Sequence, residues 1–216
     1  MTAYYFKSVP KYYLNKFVAV RTVFDNLNNI LNIAEILNTS GDCKLEDYED
    51  DFDFVIYSGE YCRAIVKKDE GYFSMAIPFQ IVDDGDRVTF NDDFLREEVS
   101  GQLISIFRNA ISTSQESDFS HESIILSLVD NFSLEISNAT AYFDAFVTAI
   151  NEDHGYFRFD DDLANEDGHF HPRYHIDVFF KNTSAIKIGL DEAVTNLDCF
   201  YALLDGKTHK RYLRKF

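Results

Sequence analysis

Residues 54–82 read FVIYSGEYCRAIVKKDEGYFSMAIPFQIV, and this stretch decides the fold class. It holds three runs rich in β-branched and aromatic residues: Phe54 to Tyr57, Cys62 to Lys68 and Tyr72 to Val82. Glu70-Gly71 between the second and third is a turn signal, so those two runs are expected to pair as a hairpin. Pro78 has no amide proton, so it must bend the third run, end it or confine it to a sheet edge. Past the Asp83-Asp84-Gly85-Asp86 turn, Arg87 to Phe90 is expected as a fourth strand.

Helical periods flank this strand cluster. From Leu14 to Asn38 the apolar residues Leu14, Phe17, Val18, Phe24, Leu27, Ile30, Leu31, Ala34 and Leu37 recur near i, i+3, i+4 and i+7, with asparagines on the other face. Gly41 suits a left-handed cap after that helix. Glu46 to Asp53 is dense in carboxylates and is expected as a solvated loop. Phe94 to Ile111 reads as a second helix. Ser120, with Glu122 behind it, reads as the N-cap of a third running to Val129, and Ala139 to Ile150 as a fourth. Strands are expected again at Tyr156 to Asp160, His169 to Phe180 and Ala185 to Ile188, and a closing helix at Asp191 to Leu204. The fold is therefore expected to be α+β, with antiparallel strand clusters at about 54–90 and 156–188 packed with amphipathic helices. Residues 1–216 fit a single domain. The polar segment Ser112 to Ser120 is the place where it would divide into 1–112 and 120–216.

Composition excludes several classes. The chain has 216 residues, 46% hydrophobic and 16% aromatic, which is globular and not disordered. Its net charge of −17 argues against coating nucleic acid. The last ten residues hold Lys207, Lys210, Arg211, Arg214 and Lys215 and no acid, so taking five charges from −17 leaves −22 on the rest. Such a body favours a protein partner with a basic surface, while RNA remains possible only at a local site. Met1 to Lys7 shows no basic region followed by an apolar one, and no apolar run approaches a membrane span, so a cytoplasmic, membrane-free location is expected. Cys43, Cys62 and Cys199 form no Cys-x-x-Cys pair, which argues against a disulfide framework and a thiolate zinc site. Neither a phosphate-binding glycine loop nor a nucleophile elbow is present. The oligomeric state is left open.

One run can carry chemistry: His169-Phe-His171-Pro-Arg173-Tyr-His175-Ile-Asp177. At period two it places His169, His171, Arg173, His175 and Asp177 on one face and Phe170, Pro172, Tyr174, Ile176 and Val178 on the other. Three of the chain's six histidines fall within seven residues. On a straight strand neighbours on a face lie about 7 Å apart, so two neighbours among His171, Arg173 and His175 can reach one small anion or phosphate, while His169 and His175, roughly 20 Å apart, cannot share one metal ion. The chemistry this suggests is metal-independent phosphodiester cleavage. One histidine acts as general base and another as general acid, Arg173 holds the charge that builds on phosphorus, and Asp177 orients His175. Arg158, His169 and Tyr174 are candidate substrate-binding residues. No cofactor is required by this scheme. A divalent metal is the alternative, with His169, His171 and Asp160 as ligands and Asp162 or Asp167 in support. The competing class is a non-catalytic acidic interaction protein, antitoxin-like, an inhibitor or an assembly subunit, in which the same face is solvated or satisfied by internal carboxylates.

The His-Pro-Arg-Tyr-His run, followed by Ile-Asp and a later Leu-x-x-Phe-Tyr helix, resembles a group of uncharacterised bacterial proteins of about this length. The likeness covers roughly His169 to Leu204. It implies a bacterial setting, in mobile or defence-related gene clusters such as phage-defence or toxin–antitoxin loci, and assigns no role to any residue.

Overall fold

Strict alternation sends Phe54 and Ile56 to one side of their strand and Val55 and Tyr57 to the other, and all four are buried. A strand buried on both faces must be central to a sheet covered on both sides. The computed structural model, which describes residues 2–47, 51–59, 62–68, 71–152, 155–168, 170–178 and 186–190, shows that arrangement. The fold is α+β, as the periodicities require.

Seven strands form the main sheet among the described residues: β1 (Thr2–Phe6), β2 (Phe54–Ser58), β3 (Arg63–Lys68), β4 (Gly71–Ala76), β8 (Phe157–Asp161), β9 (Tyr174–Val178) and β10 (Ile186–Gly189). Their order is β1-β2-β3-β4-β8-β9-β10, and every pairing is antiparallel. Between β4 and β8 the chain makes a second, three-stranded sheet from β5 (Gln80–Asp83), β6 (Val88–Asp92) and β7 (Glu97–Glu98). It then forms three helices, α3 (Gly101–Glu116), α4 (His121–Phe132) and α5 (Ile136–Asn151), before returning beside β4. Pro78 lies between β4 and β5 and ends the first run, as its missing amide proton demands.

Near the N-terminus, α1 (Lys11–Leu14) and α2 (Val23–Thr39) replace the single helix expected from Leu14 to Asn38. The break has a local cause. Thr22 and Asp25 form a capping box that starts α2 afresh, with the Thr22 side chain accepting from the Asp25 amide and Asp25 accepting from the Thr22 amide. Asn26, Asn29 and Asn32 of α2 are buried. Asn29 accepts from the Val18 amide and donates to its carbonyl, while Asn32 donates to the Tyr13 carbonyl. Asn29 and Asn32 thus satisfy backbone groups that precede Thr22, which explains why these polar residues sit on the buried side of the helix. Three further expectations are corrected. Ser40 caps α2 at a negative φ, and Gly41 opens a short 3-10 turn. Helix α3 starts at Gly101, with Ser100 as N-cap, and not at Phe94, because β7 occupies the intervening stretch. Helicity continues through Glu116, so most of the polar stretch from Ser112 is helix and not linker. Ser120 caps α4 as expected by accepting from the Ser123 amide.

One face of the main sheet, through Phe54, Ile56, Ala64, Val66, Phe73 and Met75, joins the large core built with α2, α3 and α5. The opposite face holds a smaller apolar cluster of Phe52, Val55, Tyr57, Ile65 and Phe159, flanked by Tyr72, Phe157 and Tyr174. Gly71 allows β4 and β8 to meet: a Cβ there would lie 1.9 Å from the Phe159 carbonyl oxygen. That close contact aligns Arg158 and Asp160 with the strands beside them. Cys43 and Cys62 are free thiols. His154, His169, Cys199, the expected helix Asp191 to Leu204 and the basic tail from Lys207 lie outside the described residues.

Candidate functional site

Register assembles the site. Tyr156, one residue before β8, recurs at period two with Arg158 and Asp160 in the strand, and Arg158 shares the face of its pairing partner Phe73. On β9, His175 stands opposite Asp160, and Asp177 opposite Arg158. Four charged or titratable side chains therefore meet on one face, from two adjacent strands.

Arg158 is the centre. Its Nη2 donates to Asp160 Oδ2 and to Asp177 Oδ2, each at 2.7 Å, and all three side chains are at least four-fifths buried. Burial works against the guanidinium charge, but the Asp160 and Asp177 carboxylates outweigh it and raise its pKa. Burial also pushes the Asp160 carboxyl above its usual range, against the opposing pull of Arg158 and His175. His175 is fully buried. Its Nδ1 lies 2.7 Å from the Pro172 carbonyl oxygen, which can only accept, so Nδ1 carries a proton. Its Nε2 then faces carboxylates, 3.3 Å from Asp160 Oδ2 and 3.7 Å from Asp177 Oδ1. Pro172 is seated against Gly189, the residue paired with His175 on β10; a Cβ at Gly189 would lie 3.2 Å from Pro172 Cγ.

The face expected to run straight from His169 to Asp177 does not do so, because the strand begins only at Tyr174. Before it the chain folds back: His171 bridges to Asp167, and Pro172 offers its carbonyl to His175. This brings the His171 and His175 rings to 4.8 Å between centroids, edge to face, far closer than an extended strand allows. Arg173 leaves the pair. Its Nε donates to Asp161 Oδ1 at 2.7 Å, and its guanidinium lies 4.6 Å from the centre of the Tyr174 ring. Arg173 therefore does not stand between the two histidines as an anion clamp, and Tyr174 belongs to the smaller apolar cluster. His171 Nε2 contacts Asp162 Oδ2 at 3.1 Å. Asp162 is in turn held below its usual range, first by the Asn165 side chain and also by its amide and by His171.

Of the residues expected from sequence, His175, Asp177, Arg158 and Asp160 converge. His171 touches the cluster through His175, Arg173 and Tyr174 point elsewhere, and His169 lies outside the described residues. Of the metal set His169, His171 and Asp160, His169 lies outside the described residues; among those described a different set converges, Asp160, His175 and Asp177, with donor atoms all within 4.8 Å of one another. Sequence reasoning missed Tyr156 as a member of the site, although its period-two spacing to Arg158 and Asp160 was the available signal. Its residue is 5% exposed, and burial pushes the phenol up to about 12. The Val20 amide lies near, yet the hydroxyl closes no hydrogen bond.

Fold and site together define an α+β protein with a largely buried Arg/His/Asp cluster near one end of its main sheet. No family model, curated protein or solved structure matches this chain. No described helix is long and apolar enough to cross a membrane.

Proposed function

We propose that the protein works by contact with another protein, as an acidic inhibitor-like or antitoxin-like subunit that covers a basic surface, and not as a metal-independent nuclease. The observation that supports this is the commitment of the His/Arg strand to the chain's own carboxylates. Arg158 pairs with Asp160 and Asp177, Arg173 with Asp161, His171 with Asp162, and His175 with Asp160. A phosphodiester would have to displace these carboxylates from positions where like charge repels it. The same pattern extends across the surface, where Lys7, Lys16, Lys44, Lys67 and Arg108 each lie against an acidic side chain. What remains is a body with a large excess of carboxylate, suited to steering toward a basic partner. The test is affinity capture from the native host at about 50 mM and about 500 mM salt, a range over which exposed charge pairs are progressively screened. A basic protein retained in equal amount to the bait at low salt and lost at high salt is expected. Retention insensitive to salt, or no stoichiometric protein at either, overturns the proposal.

A further inference from the structure

Three donor atoms of different chemistry converge near the end of the main sheet: a carboxylate oxygen of Asp160, one of Asp177 and an imidazole nitrogen of His175, all within 4.8 Å of one another. We infer that these residues hold one divalent transition-metal ion, of the class that accepts mixed imidazole and carboxylate ligands, such as Mn²⁺ or Zn²⁺. An ion with ligand distances of about 2.1 Å brings its donors to within roughly 4 Å of one another, so closure of about 1 Å completes the set. The surroundings are those of a ligand set. A metal-binding histidine is held in one tautomer by a hydrogen bond from its other nitrogen, and here Nδ1 donates to the Pro172 carbonyl, directing Nε2 at the carboxylates. Ligating carboxylates are themselves hydrogen-bonded, and here Arg158 Nη2 bonds the Oδ2 of each aspartate.

A second, independent observation points to a ligand. Tyr156 is more than nine-tenths buried on the same strand face, two residues from Arg158 and four from Asp160, and its hydroxyl interacts electrostatically with both. That hydroxyl and Arg158 Nε are buried without a hydrogen-bond partner. Buried polar groups of this kind are normally satisfied by water or an ion. A water in the coordination shell of an ion at Asp160, His175 and Asp177 gives Arg158 Nε, on the guanidinium that bonds both aspartates, the partner it lacks. The inference stands apart from the partner-binding proposal, because a cation fixed between β8 and β9 needs no substrate access.

The test uses the full chain, stripped with EDTA and dialysed. Co²⁺ is added as a spectroscopic probe, and Mn²⁺ and Zn²⁺ are titrated by calorimetry. One ion per chain, with visible Co²⁺ absorption and a Zn²⁺-dependent rise in melting temperature, is expected. Asp177→Asn, nearly the same shape, is expected to weaken binding at least roughly tenfold and to abolish the melting shift, with an unchanged circular dichroism spectrum. His121→Ala, on α4 and remote from the cluster, leaves both intact. Absence of Co²⁺ absorption, or affinity unchanged in both Asp177→Asn and Asp160→Asn, overturns the inference.

Discussion

Replacing Arg158 by Met removes the cation that bonds Asp160 and Asp177 while keeping most of the side-chain volume. Both carboxylates then lie within a site 14–17% exposed, with the His175 imidazole beside them. Breaking a fully buried ion pair costs about 3–5 kcal/mol, since the partner left behind is neither solvated nor neutralised. Partial exposure and the adjacent imidazole reduce that, and a loss of about 3 kcal/mol is expected at pH near 7 in urea denaturation. The loss has a pH signature. Burial already raises the Asp160 pKa against the pull of Arg158, so without the guanidinium Asp160 takes up a proton more readily, and the difference between the two proteins shrinks as the pH falls toward about 4. Arg87→Met is the control, because Arg87 meets Asp84 and Glu98 with about half its side chain exposed, and it is expected to cost less than about 1 kcal/mol. A loss at Arg158 no larger than that of the control, or one that grows on acidification, refutes the picture of a buried charge network organised by this guanidinium.

Other expectations follow from the same geometry. Because burial raises the Asp160 pKa above 3.8, the folded state binds its proton more tightly than the unfolded chain; Asp160 therefore contributes stability that is fully present below about pH 3.8 and lost as the pH rises through the folded value. Asp160→Asn, measured by urea denaturation in metal-free buffer, is thus expected to gain on the wild type between acid and neutral pH. Glu35 has the opposite sign. Burial opposes its charge, but Arg108 at 2.7 Å and Lys16 at 3.2 Å hold its pKa below 4.5, so Glu35→Gln costs about 1 kcal/mol at neutral pH and little once the pH falls through the folded value. Asn29→Leu removes both hydrogen bonds to Val18 and is expected to cost about 2 kcal/mol in the same assay. Gly71→Ala drives a methyl group into the Phe159 carbonyl and is expected to lower the melting temperature more than any of these, with loss of the β4–β8 pairing by amide exchange.

Strand content and helix faces were legible because burial enforces period two and period 3.6. Phe54 to Tyr57 and the stripe of α5 are read from sequence as they fold. The break between α1 and α2 was hidden, since the apolar period runs through it; the decisive signals were Thr22 with Asp25 and the inward asparagines, which look like a polar face until the backbone they satisfy is known. The site was half legible. Composition marked the histidine run, and alternation placed His175 with Asp177. The register of β8 against β9 is set by the connection between them, which alternation alone does not encode, and that register is what gave Arg158 and Asp160 to His175. Pro172 turned the preceding residues back and removed Arg173 from the group.

If the cations of the His/Arg strand serve the chain's own carboxylates and not a phosphodiester, the protein leaves RNA intact. Incubating the purified protein with total RNA, with and without EDTA and beside His175→Ala, tests this most directly. The RNA length distribution is expected to be identical in every lane and to match RNA alone. Cleavage by the wild type that His175→Ala abolishes would contradict the claim.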